Sequence, residues 1–387
     1  MIFDLIATTA FGIESITARE LENLGFTDLK VENGRITFKG DERDIARCNI
    51  HLRTADRILI KMAEFKAVTF EELFQGVKAI PWGEFLPIDA EMHVIGRSVR
   101  SGLFSVPDCQ AITKKAIVEK MKEKYNISIF EETGPKYKIE VALLKDIVTI
   151  TIDTTGPGLN KRGYRRIAGE APLKETMACA LLLLTYWKRG RFLIDPLCGS
   201  GTIPIEAAMI AKNMAPGVNR SFVAETWRDF DEKIWDDVRN EARAAEIKDV
   251  PRTIFGSDLD PKAVELAIHH AKEAGVGNIA GFKQMNVLDF YSKEKYGFIV
   301  TNPPYGERIG EMRAVERLYG DLGKVYRRLD SWSFYLITSH PSFEKLFGRT
   351  ADKRRKLYNG QLLCQYYQFL GPKPPKDERN TIVLSEK

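Results

Sequence analysis

One short segment has the residue types needed for a reaction at a planar amine. Asn302-Pro303-Pro304-Tyr305 follows the hydrophobic run 298–301. An exocyclic amine on a nucleobase or an amide is a poor nucleophile, because its lone pair is delocalised. The side-chain oxygen of Asn302 and the carbonyl of Pro303 can accept its two hydrogen bonds as charge develops. The two prolines stiffen the loop, and Tyr305 offers a ring on which an extruded base can stack.

A glycine-rich turn upstream is suited to a ligand that approaches the backbone. The strand-like run 192–194 leads into Asp195, which is an acceptor suited to an ammonium group. The turn that follows contains Cys198, Gly199, Ser200, Gly201 and Thr202. Its glycines admit a ligand, and the next helix offers free N–H groups to a carboxylate. The dinucleotide pattern GxGxxG and the P-loop pattern are both absent.

Acidic residues also follow the next two strand-like runs. Asp258 ends the run 253–257 and can accept bonds from both hydroxyls of a ribose. Asp260 before Pro261 is typical of a helix N-cap and first helical residue. Asp289 follows the third run, where it could bind an adenine amino group or belong to an ordinary turn.

The spacing of these acidic residues indicates an insertion. Asp195 and Asp258 are 63 positions apart, which is longer than is usual between a glycine turn and the acidic residue of a cofactor site. Residues 212–250 therefore read as an inserted helical segment near the active face. Trp227 and Trp235 in it could contact substrate or pack internally, and we favour packing.

The order of elements predicts an α/β protein with smaller α+β units in front. Residues 1–65 read as strand, helix, strand, strand, which is typical of a ferredoxin-like unit. Strands alternate with helices after residue 169, which predicts a Rossmann-like, doubly wound parallel sheet. Two final runs, 354–358 and 361–369, flank Asn359-Gly360 and predict an antiparallel hairpin.

Composition excludes several classes of protein. The 387 residues are 44% hydrophobic and 29% charged, which excludes a disordered or fibrous chain. The longest apolar stretch, 177–187, is too short to span a bilayer, and the N-terminus does not resemble a signal peptide. Five scattered cysteines without a CxxC pair favour the reducing cytoplasm and neither a disulfide framework nor a zinc site.

Positive charge is concentrated in the C-terminal part. Residues 1–165 hold 24 basic and 24 acidic residues, so the whole formal excess of +5 lies after them. Basic clusters at 161–166 and 353–356 stand beside aromatic residues, which suits a phosphate backbone with exposed bases. The alternative is that these clusters are ordinary solvated faces.

These motifs carry a family resemblance. Asp195 to Thr202 together with Asn302 to Tyr305 resemble the amino-group methyltransferases that use S-adenosylmethionine. KRGYR at 161–165, APLKE at 171–175 and NPPYGER at 302–308 resemble the THUMP-domain RNA methyltransferases. Within them, the chain is most similar to the bacterial group that makes N2-methylguanosine in large-subunit ribosomal RNA.

The resemblance covers the whole chain and implies its organisation. It implies a ferredoxin-like unit at 1–65, a THUMP RNA-binding domain at 66–156, a basic linker at 157–169 and a methyltransferase domain at 170–387. The cofactor would be S-adenosylmethionine, and the partner would be 23S rRNA or a large-subunit precursor, with no metal and no membrane. Asn302, Pro303, Pro304 and Tyr305 would be catalytic. Cofactor contacts would come from Asp195, Cys198, Gly199, Ser200, Gly201, Thr202, Asp258 and Asp289. RNA contacts would come from Lys114, Lys115, Lys161, Arg162, Arg165 and Arg166, although the 161–166 segment could instead shape the cofactor pocket.

Other acceptors remain compatible with the same chemistry. The motif would also serve a tRNA guanosine, adenine N6 in DNA or a glutamine amide in a protein. A catalytically idle ribosome-assembly factor is a further alternative, although the intact turns at 199–201 and 302–305 argue against it. The sequence leaves open the modified nucleotide, the choice between naked rRNA and an assembling particle as substrate, and the oligomeric state.

Overall fold

Two seven-stranded sheets organise the protein, one in each of two units. The computed structural model describes residues 1–165, 173–228, 230–306 and 309–375. The first unit comprises Met1–Thr9, Ala18–Leu159 and Arg220–Glu241. The second comprises Ala10–Thr17, Asn160–Asn219 and Ala242–Lys387.

The elements alternate as the sequence predicts. Up to residue 153 they are β1 (Phe3–Thr9), α1 (Glu14–Asn23), β2 (Lys30–Glu32), β3 (Arg35–Gly40), α2 (Glu42–His51), β4 (Ala55–Lys66), α3 (Phe70–Lys78), β5 (Glu91–Val99), α4 (Val106–Tyr125), β6 (Lys136–Leu144) and β7 (Ile147–Asp153). Both α2 and α3 begin at capping boxes, on Asp41 and Thr69, which satisfy free N–H groups of their first turns.

The first sheet has the order β2-β3-β1-β4-β7-β6-β5. Its neighbours are antiparallel except for β5 and β6, which run parallel. The long strand β4 pairs with β1 at Leu5–Ile60 and with β7 as far as Lys66–Ile147. The predicted boundary between residues 65 and 66 therefore lies at the end of a strand that both N-terminal parts share.

The inserted segment packs within the first unit. Trp227 stacks on Tyr137 of β6 with ring centroids 4.7 Å apart, and its indole N–H donates to the Lys136 carbonyl at 3.1 Å. Trp235 is buried and stacks on Phe222 at 5.4 Å. Residues 220–241 consequently group with the N-terminal sheet. The resemblance implies a continuous methyltransferase domain at 170–387, and this grouping differs from that range.

The later elements belong to the second unit, except the helix Glu232–Ala244, most of which groups with the first unit. In chain order they are α5 (Glu175–Leu183), β8 (Leu193–Asp195), α6 (Thr202–Ala211), α7 (Glu232–Ala244), β9 (Ile254–Asp258), α8 (Pro261–Glu273), β10 (Ala280–Gln284), β11 (Phe298–Thr301), α9 (Ile309–Tyr326), β12 (Ser333–Thr338), α10 (Phe343–Phe347), β13 (Lys353–Asn359) and β14 (Leu362–Phe369). The strand order is β10-β9-β8-β11-β12-β14-β13. The first five strands are parallel, and the order reverses between β8 and β11, where ligands bind in open α/β sheets.

The C-terminal hairpin is present, with its turn one residue later than predicted. Asn359 still pairs with Leu362, so Gly360 and Gln361 form the loop instead of Asn359-Gly360. Gly360 has φ +64°, the left-handed conformation that glycine adopts without strain. Strand β14 continues the sheet antiparallel to β12.

An aromatic core anchors this end of the second sheet. Phe334 of β12, Phe347 of α10 and Phe369 of β14 are fully buried, and the last two rings lie 4.5 Å apart. Within the described ranges, none of the helices combines the length and the apolar character needed to cross a membrane.

The packing of the insertion makes a testable prediction. Replacing Trp227 by alanine removes a buried stacked ring and its hydrogen bond, so we expect a loss of about 3–5 kcal/mol in unfolding free energy. Chemical denaturation followed by circular dichroism measures this loss. Phe104→Ala is the matched control, because Phe104 is 82% exposed. An unchanged transition for Trp227→Ala would contradict the packing role.

Candidate active site

A cavity of about 410 Å³ lies at the carboxyl ends of the central parallel strands. Its lining includes Asp195, Gly199, Ser200, Thr202 and Asn302. The fold thus brings the glycine turn and the amine-acceptor loop, which are distant in sequence, to one cavity. This is the reversal point of the strand order, where the crevice between β8 and β11 opens.

Asp195 is the buried carboxylate of the site. It ends β8 and is 2% exposed. Burial raises the pKa of Asp195 to about 7, although the hydroxyl of Thr301 and the N–H of Leu197 both donate to its Oδ1, at 2.6 and 3.1 Å. Nearby Asp258 adds to the rise in this pKa. The buried carboxylate is therefore suited to a cationic ligand, which would stabilise its ionised form.

The glycine turn is open to a ligand at Gly199 and packs closely against the helix α8 at Gly201. Gly201, the N-cap of α6, has φ +83°, and a Cβ there would lie 2.9 Å from the Cβ of Ala267 on α8. Gly199 has φ +50° and open space where its Cβ would stand. The carbonyl of Ser200 lies 3.1 Å from His270 Nδ1, which ties the turn to α8.

Asp258 lies outside the cavity lining, and two main-chain groups hold its carboxylate, one of them from Gly199 in the lining. The N–H of Gly199 donates to its Oδ2 at 2.9 Å, and the N–H of Asp260 donates to its Oδ1 at 3.0 Å. The side chain of Asp260 caps α8 by accepting from the Lys262 N–H, which confirms the predicted N-cap. Asp260 also lines the cavity, a position that its role as a cap does not reveal.

The two other predicted cofactor contacts, Cys198 and Asp289, differ in their position relative to the cavity. Cys198 is buried in the cavity wall, where burial raises the pKa of its thiol. Asp289 is exposed, at the end of the short 3₁₀ helix Val287–Asp289, and lies outside the cavity lining. Its contact with an adenine remains a prediction.

The amine-acceptor loop is braced by residues that the motif does not contain. The hydroxyl of Tyr305 donates to Asn302 Oδ1 at 2.5 Å, and the amide of Asn359 donates to the Tyr305 oxygen at 3.4 Å. Burial raises the pKa of Tyr305 above its usual range, so the hydroxyl keeps its proton and can donate. The Asn302 oxygen has a second lone pair, which leaves it able to accept an amine hydrogen as well.

Tyr319 of α9 supports the same loop from the other side. Its hydroxyl donates to the Pro304 carbonyl at 3.1 Å and lies 2.8 Å from the hydroxyl of Thr338. Burial raises the pKa of Tyr319 to about 12. The sequence analysis identified neither Tyr319 nor the contact of Asn359 with Tyr305, although the predicted hairpin contains Asn359.

Two residues of the basic segment 161–165 are buried, which corrects the RNA assignment of Arg162. Arg162 is buried with its Nε 3.6 Å from an oxygen of the buried Glu206. Tyr164 donates to the same carboxylate at 3.0 Å. A guanidinium enclosed in this way is not available to a phosphate, so direct RNA contact does not fit Arg162.

Arg165 fits the pocket-shaping alternative. It forms an ion pair with Glu175 at 2.8 Å and donates to the hydroxyl of Thr202 at 3.1 Å. It therefore links the starts of α5 and α6 behind the glycine turn. Lys161 is exposed, and Arg166 lies outside the described residues.

The two lysines predicted on α4 differ in their surroundings. Lys114 forms an ion pair with Glu132 at 2.7 Å. Lys115 is exposed, with its ammonium 5.9 Å from the centre of the Phe74 ring. RNA contact by these lysines remains a prediction, and Lys115 is the better placed of the two.

The internal position of Arg162 makes a prediction of its own. Arg162→Met leaves Glu206 without its buried partner, so we expect a loss of about 3–5 kcal/mol in unfolding free energy. Lys161→Ala, at the exposed neighbour, should change it by less than about 0.5 kcal/mol. Chemical denaturation compares the two variants. Equal, small effects would show that the Arg162 ion pair does not support the domain.

Comparisons with known proteins agree with this architecture. Residues 4–59 match the RlmL ferredoxin-like domain, 67–153 the THUMP domain and 162–368 the RMKL-like methyltransferase domain. These matches confirm the ferredoxin-like and THUMP units that the resemblance implies.

Individual relatives are similar over nearly their whole length. The chain is 50% identical over 380 residues to "Putative RNA methyltransferase YpsC" of Bacillus subtilis (strain 168), covering 97% of this chain and 98% of that protein. It is 51% identical, with a TM-score of 0.92, to a Listeria monocytogenes str. 4b F2365 structure called a "predicted N6-adenine-specific DNA methylase", with 96% and 97% of the two chains covered.

A further solved structure bears on the cofactor. SMU.472, solved "complexed with SAH", is 47% identical with a TM-score of 0.92, and the likeness covers 97% of this chain and 99% of that one. With its three matched domains and these relatives, the chain belongs to the THUMP-containing, RMKL-like family of S-adenosylmethionine-dependent RNA methyltransferases.

Proposed function

We propose that this protein methylates the exocyclic N2 of a guanosine in 23S rRNA. The observation that carries the proposal is the position of Asn302, which lines the cavity of the glycine turn and whose amide is oriented by Tyr305. The THUMP domain supports RNA as the substrate class. The motifs KRGYR and NPPYGER support the N2-methylguanosine group, and a ribosomal substrate would place the protein in the cytoplasm.

The residues of the cavity fit S-adenosylmethionine. The buried Asp195 carboxylate suits its ammonium group, and Asp258, bonded to Gly199 of the lining, would accept from the hydroxyls of its ribose. The open space at Gly199 allows a ligand close to the backbone. When bound, S-adenosylmethionine supplies an electrophilic methyl group on a sulfonium.

The amine-acceptor loop would perform the orienting part of the reaction. Asn302 Oδ1 and the Pro303 carbonyl would accept the two amine hydrogens, directing the nitrogen lone pair towards the methyl group for direct displacement. The Tyr305 hydroxyl fixes the Asn302 amide, since its donated bond requires an oxygen at that position. Positioning of two reactants in one cavity would supply much of the acceleration.

Methylation of adenine N6 is the second candidate. The Listeria relative is named for that reaction, and the two acceptors at Asn302 and Pro303 would serve either amine. The THUMP domain favours RNA over DNA. A tRNA guanosine, a protein amide and an idle assembly factor are separated from our proposal by the same experiment.

That experiment transfers labelled methyl from S-adenosylmethionine to total RNA of a strain lacking this protein, followed by nucleoside analysis. We expect label in N2-methylguanosine of the large-subunit rRNA. Label in tRNA or in N6-methyladenosine would overturn the proposed acceptor. No label, with cofactor binding intact, would overturn free RNA as the substrate and point to an assembling ribosomal particle or a protein.

Substitutions in the loop separate chemistry from binding. Asn302→Ala should lower kcat about 10²–10³-fold, because one preorganised acceptor is lost, with the cofactor dissociation constant unchanged within about twofold. Tyr305→Phe keeps the ring and removes the orienting hydroxyl, so kcat should fall while KM for RNA stays constant. Single-turnover kinetics and calorimetry test both, and an unaltered kcat in Tyr305→Phe would refute the orienting role.

The raised pKa of Asp195 predicts a pH-dependent affinity. A carboxyl with a pKa of about 7 is mostly protonated below neutrality, so it attracts a cation less there. We expect cofactor affinity to rise roughly 25-fold between pH 5.5 and 7.5, since the deprotonated fraction of a carboxyl with this pKa rises from about 3% to about 76%. Titration calorimetry at several pH values measures this affinity. Asp195→Asn should flatten the dependence, and the same slope in that variant would contradict the assignment.

A further inference from the structure

A second groove lies at the edge of the parallel sheet opposite the active site. It has a volume of about 500 Å³. Its walls are Arg191 just before β8, Phe298 and Ser333 at the starts of β11 and β12, and the segment 370–374 after β14. We call it the amino-edge groove, because the parallel strands begin there, whereas Asp195 and Asn302 stand where strands end.

The groove is cationic, and its described lining residues include no acidic side chain. Lys188, Arg191 and Lys373 line it. Lys353 stands beside it, with its ammonium 5.9 Å from the centre of the Tyr186 ring. In the part of the chain that the structure describes, no carboxylate forms an ion pair with the three lysines. Such a surface attracts a polyanion, because no carboxylate among the described residues lies against Lys188 or Lys373.

An aromatic platform accompanies the charge. Tyr186 lines the groove and is 61% exposed, so its ring is accessible to a stacking partner. The guanidinium of Arg191 stacks over the Phe298 ring at 5.2 Å, so the floor is both apolar and cationic. Aromatic rings interleaved with basic side chains are typical of surfaces that bind single-stranded nucleic acid.

The walls of the groove are rigidly built. The N–H of Gly371 donates to the Ser333 hydroxyl at 3.0 Å, and a Cβ at Gly371 would lie 2.7 Å from the Ser331 carbonyl. The Trp187 indole donates to the Arg191 carbonyl at 2.9 Å, which fixes the main chain leading into β8. The main chain that carries the cations is therefore fixed, so ordering on binding is confined to their side chains.

We propose that the amino-edge groove binds a single-stranded segment of the RNA substrate. Phosphates would lie against Lys188, Arg191 and Lys373, and a base would stack on Tyr186. The exposed ring favours RNA over an acidic protein segment, which would use the charge alone. The groove is about one strand length from the amine acceptor, on the order of 20 Å for a six-residue strand, so one folded RNA can reach both. The inference rests on RNA being the substrate.

Charge reversal at the groove tests the proposal with the full chain. Lys188→Glu with Lys373→Glu should weaken binding of a fluorescein-labelled, uridine-rich 20-nucleotide RNA by at least about tenfold at 0.1 M salt, and should lower the salt slope by about 1.4. Lys272→Glu with Lys345→Glu, on exposed helix positions, makes the same charge change elsewhere. Fluorescence anisotropy across salt concentrations measures both proteins.

The ring is tested separately from the charge. Tyr186→Ala should weaken binding roughly tenfold at unchanged salt slope, whereas Tyr186→Phe should retain it, because stacking is lost only in the former. Binding of S-adenosylhomocysteine, followed by calorimetry, should be equal in all variants and shows that each is folded.

Three outcomes would overturn the inference. Wild-type affinity in the groove variants would exclude an RNA contact there. An equal loss in the Lys272 and Lys345 variant would show only a general charge effect. Lost binding to assembling ribosomal particles with unaltered binding to RNA would indicate a protein partner. Methyl transfer by the wild-type chain is measured in parallel, so a failed groove is distinguished from a failed function.

Discussion

The hydroxyl of Thr301 donates to the buried carboxylate of Asp195, and this contact joins the two halves of the active site. Asp195 ends β8 and leads into the glycine turn, while Thr301 ends β11 and precedes Asn302. Adjacent strands lie about 4.8 Å apart, so the bond fixes the ligand turn and the amine acceptor within one strand spacing. Burying a carboxylate is costly, and the raised pKa of Asp195 reflects that cost.

The antiparallel end of the sheet gives this arrangement its second support. Asn359 at the tip of β13 reaches Tyr305, and Tyr319 on α9 holds the Pro304 carbonyl. The prolines restrict the loop from within, and these two contacts restrict it from outside. The hairpin therefore positions the acceptor loop as well as completing the sheet, and an amide oxygen that must meet a reacting amine needs such preorganisation.

Local signals in the sequence predicted the elements and several of their ends. Asp260-Pro261 identified the start of α8, and the run before Asn302 identified β11, because caps and apolar runs depend on neighbouring residues. The packing of Trp227 on Tyr137 could not be assigned in this way, since the two rings come from segments far apart in the chain. The grouping of residues 220–241 with the first unit follows from such remote contacts.

Arg162 shows why a cluster of basic residues is a weak guide to RNA contacts. Its positive charge is directed at Glu206 inside the domain, so it contributes to the sequence pattern but not to the surface field. On α4, Lys120 and Lys122 lie against glutamates of their own helix, which reduces the net attraction for a phosphate backbone.

Affinity for RNA depends on basic side chains that no carboxylate neutralises, because each one that pairs with a phosphate releases a counterion condensed on the RNA. Lys188 and Lys373 at the amino-edge groove meet this condition among the described residues, and Tyr186 beside them adds a surface for a base. A substrate RNA would then be held by charge at one edge of the sheet and oriented for reaction at the other. Binding and chemistry would use different residues, which lets the carboxylates that suit a cationic cofactor coexist with a polyanionic substrate.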